Sequence, residues 1–321
     1  MKIFVTGGTS FVGRHVVQAL LDAGVDSISI LTRRKLAATP RVSYLEGDVR
    51  DVSLLRRVLR GHDSVLHLAG CKHRPEFHQQ VNIQGTRNVI EACRSSPEFK
   101  LLIHLSGVYV YGTSSDALID EQTTCRPIRP FDRSRYESDL IVHGFAEERP
   151  SQAVILRTGN IFGEHDPEHH LLNLIRKIRA GRFYFVGRDV ARFQVNYIYV
   201  KEVAGLFAQL AGKQAPSPLY IVNTPARLEE FVARLKLLTN QEAAIRHLPY
   251  GPVNLAAKLF DLVPKSVLPH PPVNSLKLRE VTNRTIYSPA RLMKELHWHP
   301  IHSLQTALGN LHHHYGQQQL L

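Results

Sequence analysis

Residues 2–19, K-I-F-V-T-G-G-T-S-F-V-G-R-H-V-V-Q-A, constrain this chain more than any other stretch. Ile3, Phe4 and Val5 form a short, nearly continuous apolar run, the pattern of a strand buried on both faces of a parallel sheet. A turn follows at Thr6, Gly7 and Gly8. Phe11, Val12, His15, Val16, Ala19 and Leu20 then recur at three- and four-residue spacings, the period of a helix with one apolar face. Strand, glycine turn and helix in this order build the phosphate-binding corner of a dinucleotide fold. Gly7 can take backbone angles closed to other residues. A pyrophosphate then meets the free N–H groups and positive dipole end of the helix at Ser10, Phe11 and Val12. Gly13 lets the helix pack closely on the strand. Ser10 stands where the middle glycine of such a triplet usually sits, but serine is small and a good N-cap, so a phosphate can still approach. The bland alternative is an ordinary strand-to-helix turn. The corner's place at the start of the chain, with strands and helices alternating after it, counts against that.

Residues 27–32 (S-I-S-I-L-T), 42–46, 64–68, 101–106, 153–158 and 219–222 read as further strands, and 81–94, 131–148, 171–180 and 229–239 as helices. The expected fold class is α/β: a doubly wound parallel sheet with a smaller C-terminal lobe. Residues 1–165 make the dinucleotide-binding core. Residues 166–321 are mainly a substrate lobe, with some segments returning to the core. At the end of the second strand an acidic residue would hold the ribose hydroxyls of NAD. Thr32, Arg33, Arg34 and Lys35 stand there instead. A guanidinium binds a 2′-phosphate through a bidentate fork, which favours NADP over NAD; a basic loop without a ligand is the alternative.

T-G-G-T-S-F-V-G at residues 6–13 resembles the N-terminal motif of the extended short-chain dehydrogenases/reductases, the group of nucleotide-sugar epimerases, dehydratases and 3β-hydroxysteroid-dehydrogenase-like enzymes. The resemblance continues nearly end to end. Asp48 and Val49 match the family's adenine contacts. Leu68, Ala69 and Gly70 match its segment against the cofactor, where small residues permit close backbone approach. Asn82, Gly85, Thr86 and Asn88 keep the pattern N-x-x-G-T-x-N, and Arg157, Asn160 and Gly163 keep L-R-x-x-N-x-x-G. The family pattern implies a homodimer built from the helices at 81–94 and 131–148.

The catalytic segment departs from the family. Its tyrosine in Y-x-x-x-K exchanges a proton with the reacting oxygen, and its lysine holds the ribose and lowers the tyrosine pKa. Here P-F-D-R-S-R-Y-E-S-D puts Phe131 at the tyrosine position and Arg135 at the lysine position. Counting back from Gly112, Gly107 falls where a serine or threonine hydroxyl belongs, and Ser106 would point the other way on a strand. Tyr136 lies about 140° around the helix from Phe131. Tyr109 and Tyr111 are the nearest phenols, either a relocated acid or strand packing. Two readings follow. One is an atypical oxidoreductase, epimerase or dehydratase acting on a nucleotide sugar or sterol-like alcohol. The other is a non-catalytic NADP(H)-binding sensor or partner subunit.

Composition sets outer bounds. The chain has 321 residues, 43% of them hydrophobic, enough for a substantial core. Lys+Arg 40 against Asp+Glu 28 gives +12, but the charges are scattered, so a solvated basic surface is expected rather than nucleic-acid binding. No apolar run reaches the ~20 residues that span a bilayer, and the chain opens directly into a strand, so no signal peptide is expected. Cys71, Cys93 and Cys125 suggest neither a disulfide framework nor a metal site, which fits the cytoplasm. His297, His299 and His302, and the run His312–His314, lack ligand partners at metal spacing and read as mobile or surface groups. Residues 248–287 are apolar, basic and then proline-rich. A core-packed helix and loop is expected there, ahead of a substrate lid, a dimer surface or a membrane-surface contact.

Overall fold

The computed structural model describes residues 1–112, 117–242, 244–264, 267–268 and 271–320. Part of the proline-rich stretch singled out in the sequence, residues 265, 266, 269 and 270, lies outside the described residues. Seven strands form the central sheet: β1 (Lys2–Thr6), β2 (Ser27–Thr32), β3 (Val42–Glu46), β4 (Ser64–His67), β5 (Leu101–Gly107), β6 (Ala153–Thr158) and β7 (Leu219–Val222). They lie in the order β3-β2-β1-β4-β5-β6-β7, and every pairing is parallel. The chain's direction of travel across the sheet reverses between β1 and β4, so a crevice opens at the carboxyl ends of those two strands.

The sheet is covered on both faces because its strands are apolar on both. Ile3 and Val5 face α1 (Phe11–Asp22), with Val16 and Leu20, and a returning helix, Val200–Leu210, with Val203 and Phe207. Phe4, one residue out of phase, faces the other side, where Val89 and Ile90 of α3 (Gly85–Arg94) and Val142 and Phe145 of α4 (Pro130–Glu148) pack. Between β3 and β4, α2 (Val52–Val58) starts on the side chain of Asp51, which accepts from the Leu54 N–H. The lobe has its own core, where Phe162, Ile175, Phe231, Leu235, Leu308 and Leu311 meet.

Three local outcomes differ from the sequence expectation. The helix expected at 81–94 begins at His78, and its first turns are wound wide: the Gly85 N–H reaches the Gln80 carbonyl, five residues back. The Asn82 carbonyl there takes the hydroxyls of Thr86 (2.6 Å) and Ser138 (2.7 Å), and such side-chain insertion opens a helical ladder. Secondly, Tyr109 and Tyr111 are not on a strand. β5 ends at Gly107 and Val108–Tyr111 winds into a single tight turn, so the two rings leave the chain in different directions. Thirdly, the helix Tyr250–Asp261 is not core-packed; among its residues only Ala257 is buried.

Candidate active site

The corner between β1 and α1 fits a pyrophosphate. Gly7 has φ +74°, and a Cβ there would sit 2.7 Å from the Ala69 nitrogen. A Cβ on Gly13 would run into the Gly7 carbonyl oxygen. Both glycines are therefore fixed by close backbone approach rather than by general flexibility. The Ser10 hydroxyl accepts from the Gly13 N–H at 3.1 Å and caps α1. Phe11 and Val12 open the helix and also touch the lobe core, which ties the phosphate end of α1 to the lobe. A dinucleotide's phosphates have at this corner the free N–H groups and helix dipole they need.

A buried relay fixes the floor beside it. His67 joins Thr6 (2.7 Å) to Thr86 (3.0 Å) and is wholly buried. The Thr86 hydroxyl gives its only proton to the Asn82 carbonyl, so it must accept from His67 Nε2–H. His67 Nδ1 then accepts from Thr6, whose oxygen takes the Ala69 N–H at 3.3 Å. Burial, followed by the charges of His104 and Arg135, holds the His67 pKa well below its ordinary value, in keeping with a neutral ring. Asn82 completes the floor: its amide accepts from the Cys71 N–H (2.7 Å), donates to the Cys71 carbonyl (3.1 Å), and so pins the Gly70 turn. The sequence signal for this relay was a polar residue, His67, directly after the apolar Val65 and Leu66. Its role was not read from the sequence.

On the adenosine side, Arg33, Arg34 and Lys35 are exposed beyond β2, and the Arg34 N–H donates to Thr32 Oγ1 at 3.2 Å. Asp48 is gripped by both arms of the Arg50 guanidinium, each at 3.0 Å. Burial raises its pKa, but the Arg50 hydrogen bonds and the Arg50 and Arg33 charges outweigh that and hold it below the usual range. Asn88 donates to the Val49 carbonyl at 3.0 Å, and Gly85 leaves room for the Val49 side chain. Asn82, Gly85, Thr86 and Asn88 thus act as supports: each positions a loop that borders the crevice.

At the ends of β4 and β5 the three altered positions come together. Arg135 is buried (4% exposed); its guanidinium donates to the Ala69 carbonyl (3.5 Å) and to the Leu105 carbonyl, and it lies behind Gly70. Tyr109 is half-buried, within reach of the Arg135 charge, with its ring 5.1 Å from that of Phe131. A Cβ on Gly107 would strike the Tyr109 ring, with the ring carbon that bears the hydroxyl 2.7 Å away. The Tyr109 ring therefore fills the space a side chain at 107 would take. Burial raises the Tyr109 pKa, against the lowering effect of the Arg135 charge. Leu68, Ala69 and Gly70 run along the same edge.

Tyr111 goes elsewhere. It is 1% exposed, with the Arg157 guanidinium 4.9 Å above its ring, and burial pushes its phenol far up. Ser106 also turns inward, donating to Asp139 (3.0 Å), which accepts from Arg157 as well (2.9 Å). At the crevice mouth Lys72 meets Glu168 at 2.7 Å, and His170 sits between Glu168 and Asp166, each at 2.8 Å. Two histidine expectations need correction. His314 packs edge-on against His165 with ring centres 4.5 Å apart, and His302 binds the buried Glu202 at 2.6 Å. Both serve as joints between the C-terminal segment and the body because each finds a partner distant in sequence. No cluster of metal-ligating side chains occurs among the described residues.

Fold and crevice together define a dinucleotide-binding protein of the doubly wound class. The sequence model of the NAD dependent epimerase/dehydratase family matches residues 3–222, and the chain belongs to that family. It is 25% identical, over 91% of its length and 88% of the other, to the N-acetyl-alpha-D-glucosaminyl-diphospho-ditrans,octacis-undecaprenol 4-epimerase of Escherichia coli O157:H7. It is 30% identical over 200 residues to a UDP-glucose 4-epimerase of Streptomyces lividans, a match covering 56% of this chain and 60% of that protein. Among solved structures, the UDP-glucose 4-epimerase of Thermotoga maritima with UDP-glucose superposes with a TM-score of 0.74 at 18% identity, over 99% of this chain and 100% of that one. The UDP-glucuronic acid 4-epimerase of Bacillus cereus in complex with NAD gives 0.73 at 19%, over 99% of each chain. At these identities the likeness is one of fold.

Proposed function

We propose that the protein oxidises and re-reduces a sugar carried on a diphosphate, using a bound nicotinamide dinucleotide, and that Tyr109 exchanges the proton. The family supports the cofactor, and the printed activities of the relatives support the sugar class. The observation that carries the catalytic assignment is the Tyr109 ring in the space vacated at Gly107, packed on Phe131 and under the charge of Arg135.

Gly7, Ser10, Phe11, Val12 and Gly13 would hold the pyrophosphate, and Asp48 and Val49 would border the adenine. When bound, the dinucleotide supplies hydride acceptance and return. The chain's own part is the proton. As the sugar hydroxyl becomes a carbonyl, its proton passes to the Tyr109 phenolate; in the reverse step the phenol gives it back. A raised pKa favours the phenol, the form that protonates the carbonyl oxygen in the return step, so the oxidation step draws on the less populated phenolate. Arg135 supplies the positive charge that favours the phenolate when it forms. Phe131 contributes an apolar wall to the same ring. A cofactor-binding protein without turnover was the rival reading because Phe131 has no hydroxyl; a phenol beside Arg135 removes its main support.

Arg33 and Arg34 beyond β2, with no acid in that loop, support NADP over NAD. The exposed groove between α3 and α4, where Arg87, Leu140 and Gly144 lie, supports a homodimer through those helices, to be read as dimer mass in light scattering. The function itself is tested by following UDP-glucose, UDP-N-acetylglucosamine and dTDP-glucose by NMR with either cofactor. Turnover is expected in the parent and in Tyr111→Phe, and a loss of about 10²–10⁴ in Tyr109→Phe. Full turnover in Tyr109→Phe rejects the assignment. Tight dinucleotide binding without any turnover in the parent returns the non-catalytic reading.

A further inference from the structure

Half of the large hydrophobic side chains left exposed among the described residues fall between residues 248 and 281. The helix Tyr250–Asp261 turns Ala257 inward and leaves Leu255 61% and Leu259 57% exposed, with Leu262, just past its end, 79% exposed. At ~100° per residue these three leucines fall within about 60° of one another, opposite Ala257. A second helix, Ser275–Val281, packs beside the first, buries Leu278 and leaves Leu276 50% exposed. Both helices thus carry exposed leucines, and among the described residues Leu255, Leu259, Leu262 and Leu276 stay exposed.

The charge around them is mainly positive. Residues 246–284 hold six Lys or Arg against two Asp or Glu. Lys258, Lys277 and Arg279 are exposed on the two helices themselves, while Asp261 accepts the Ser275 N–H. We propose that this helix pair is a contact for an anionic lipid surface, with the leucines entering the headgroup boundary and the lysines and arginines meeting lipid phosphates. Interfacial helices combine these two features, apolar residues on one side and cations at the rim. A second copy of this chain fits less well, because a two-fold contact sets the same cationic rim against itself. Among the described residues no helix is long and apolar enough to cross a membrane, so the contact is with the surface. This inference stands apart from the assignment of Tyr109.

Cosedimentation of the full chain with vesicles tests it. Vesicles of phosphatidylglycerol and phosphatidylethanolamine should bind the parent about tenfold or more tightly than phosphatidylcholine alone, and ~1 M salt should release it. Leu259→Gln with Leu262→Gln, and separately Lys258→Glu with Arg279→Glu, should each weaken binding about tenfold while leaving near-UV circular dichroism unchanged. If the leucine pair disturbs that spectrum, the charge pair decides alone. Equal binding to both vesicle types, no binding to either, or undiminished binding of the charge pair overturns the proposal. Conversion of a dimer to a monomer by the leucine pair, without vesicle binding in the parent, assigns the face to a second copy instead.

Discussion

The glycine corner after β1 and the patch of Gly107, Tyr109, Phe131 and Arg135 lie on the same rim of one sheet, yet they are built in opposite ways. At the corner, Gly13 is held by backbone five and six residues back in the motif and Gly7 by backbone of the neighbouring strand's end, so this geometry leaves no room for a side chain at either position. At the patch, Gly107, Tyr109, Phe131 and Arg135 depend on one another through side chains. Removing the side chain at 107 makes room for the Tyr109 ring; Phe131 packs on that ring; the charge of Arg135 acts on its phenol. The first site is constrained by the main chain and resists change. The second is a set of side chains that can be exchanged together.

The largest expected effect is at the corner. Gly7→Val must hold a β-branched residue at φ +74° and push its Cβ against the Ala69 nitrogen. The strain alone costs about 1–3 kcal/mol. Denaturant melts should show a loss of at least that size, and calorimetry no dinucleotide binding; a variant that still binds would remove the corner from the account. At the patch, Gly107→Thr restores a hydroxyl to the family's position but displaces the Tyr109 ring. Its turnover should fall by about 10²-fold, with dinucleotide affinity within threefold of the parent. Recovery or gain of activity would show that the patch is not one unit.

Arg33→Ala separates the two ends of the cofactor site. It should weaken NADPH by about tenfold, the worth of one charge-assisted contact, and leave NADH unchanged. Equal affinity of the parent for both cofactors would reject the 2′-phosphate reading.

The smallest effect is on pH-dependent stability. Burial lowers the pKa of His67 and His104, so between each folded value and the ordinary one near 6.5 the unfolded chain binds more protons. Their contribution is present above about pH 6.5 and is lost as pH falls below it, by up to about 1.4 kcal/mol per unit for each ring. Urea melts at about pH 7.5 and 5.5 should show this slope, and His67→Gln should flatten it. An unchanged slope would mean that the relay does not hold His67 neutral.

The same contrast explains what the sequence could reveal. The β1–α1 corner was legible because glycine spacing and apolar period are local. The sheet was legible because β1, β2 and β4 to β7 are apolar runs bounded by turns. That Gly107, Phe131 and Arg135 occupy the family's catalytic positions was also legible by counting. The choice between Tyr109 and Tyr111 was not, since they are two residues apart and only the tight turn at Val108–Tyr111 sends one to Arg135 and the other under Arg157. The His67 relay and the docking of His302 and His314 were hidden for a related reason: their partners are 19, 61, 100 and 149 residues away. The exposed leucines of Tyr250–Asp261 follow an ordinary helical period, which does not say whether a face is covered.

Tyr109 is proposed as the proton-exchanging group at the nicotinamide. Its most direct test is the ultraviolet difference titration of tyrosine ionisation in the protein saturated first with oxidised and then with reduced cofactor. One phenol should ionise at lower pH in the oxidised form, where the nicotinamide would carry a positive charge, and should be missing from the titration of Tyr109→Phe. A titration identical in both oxidation states, or a redox-sensitive phenol that persists in Tyr109→Phe, would contradict it.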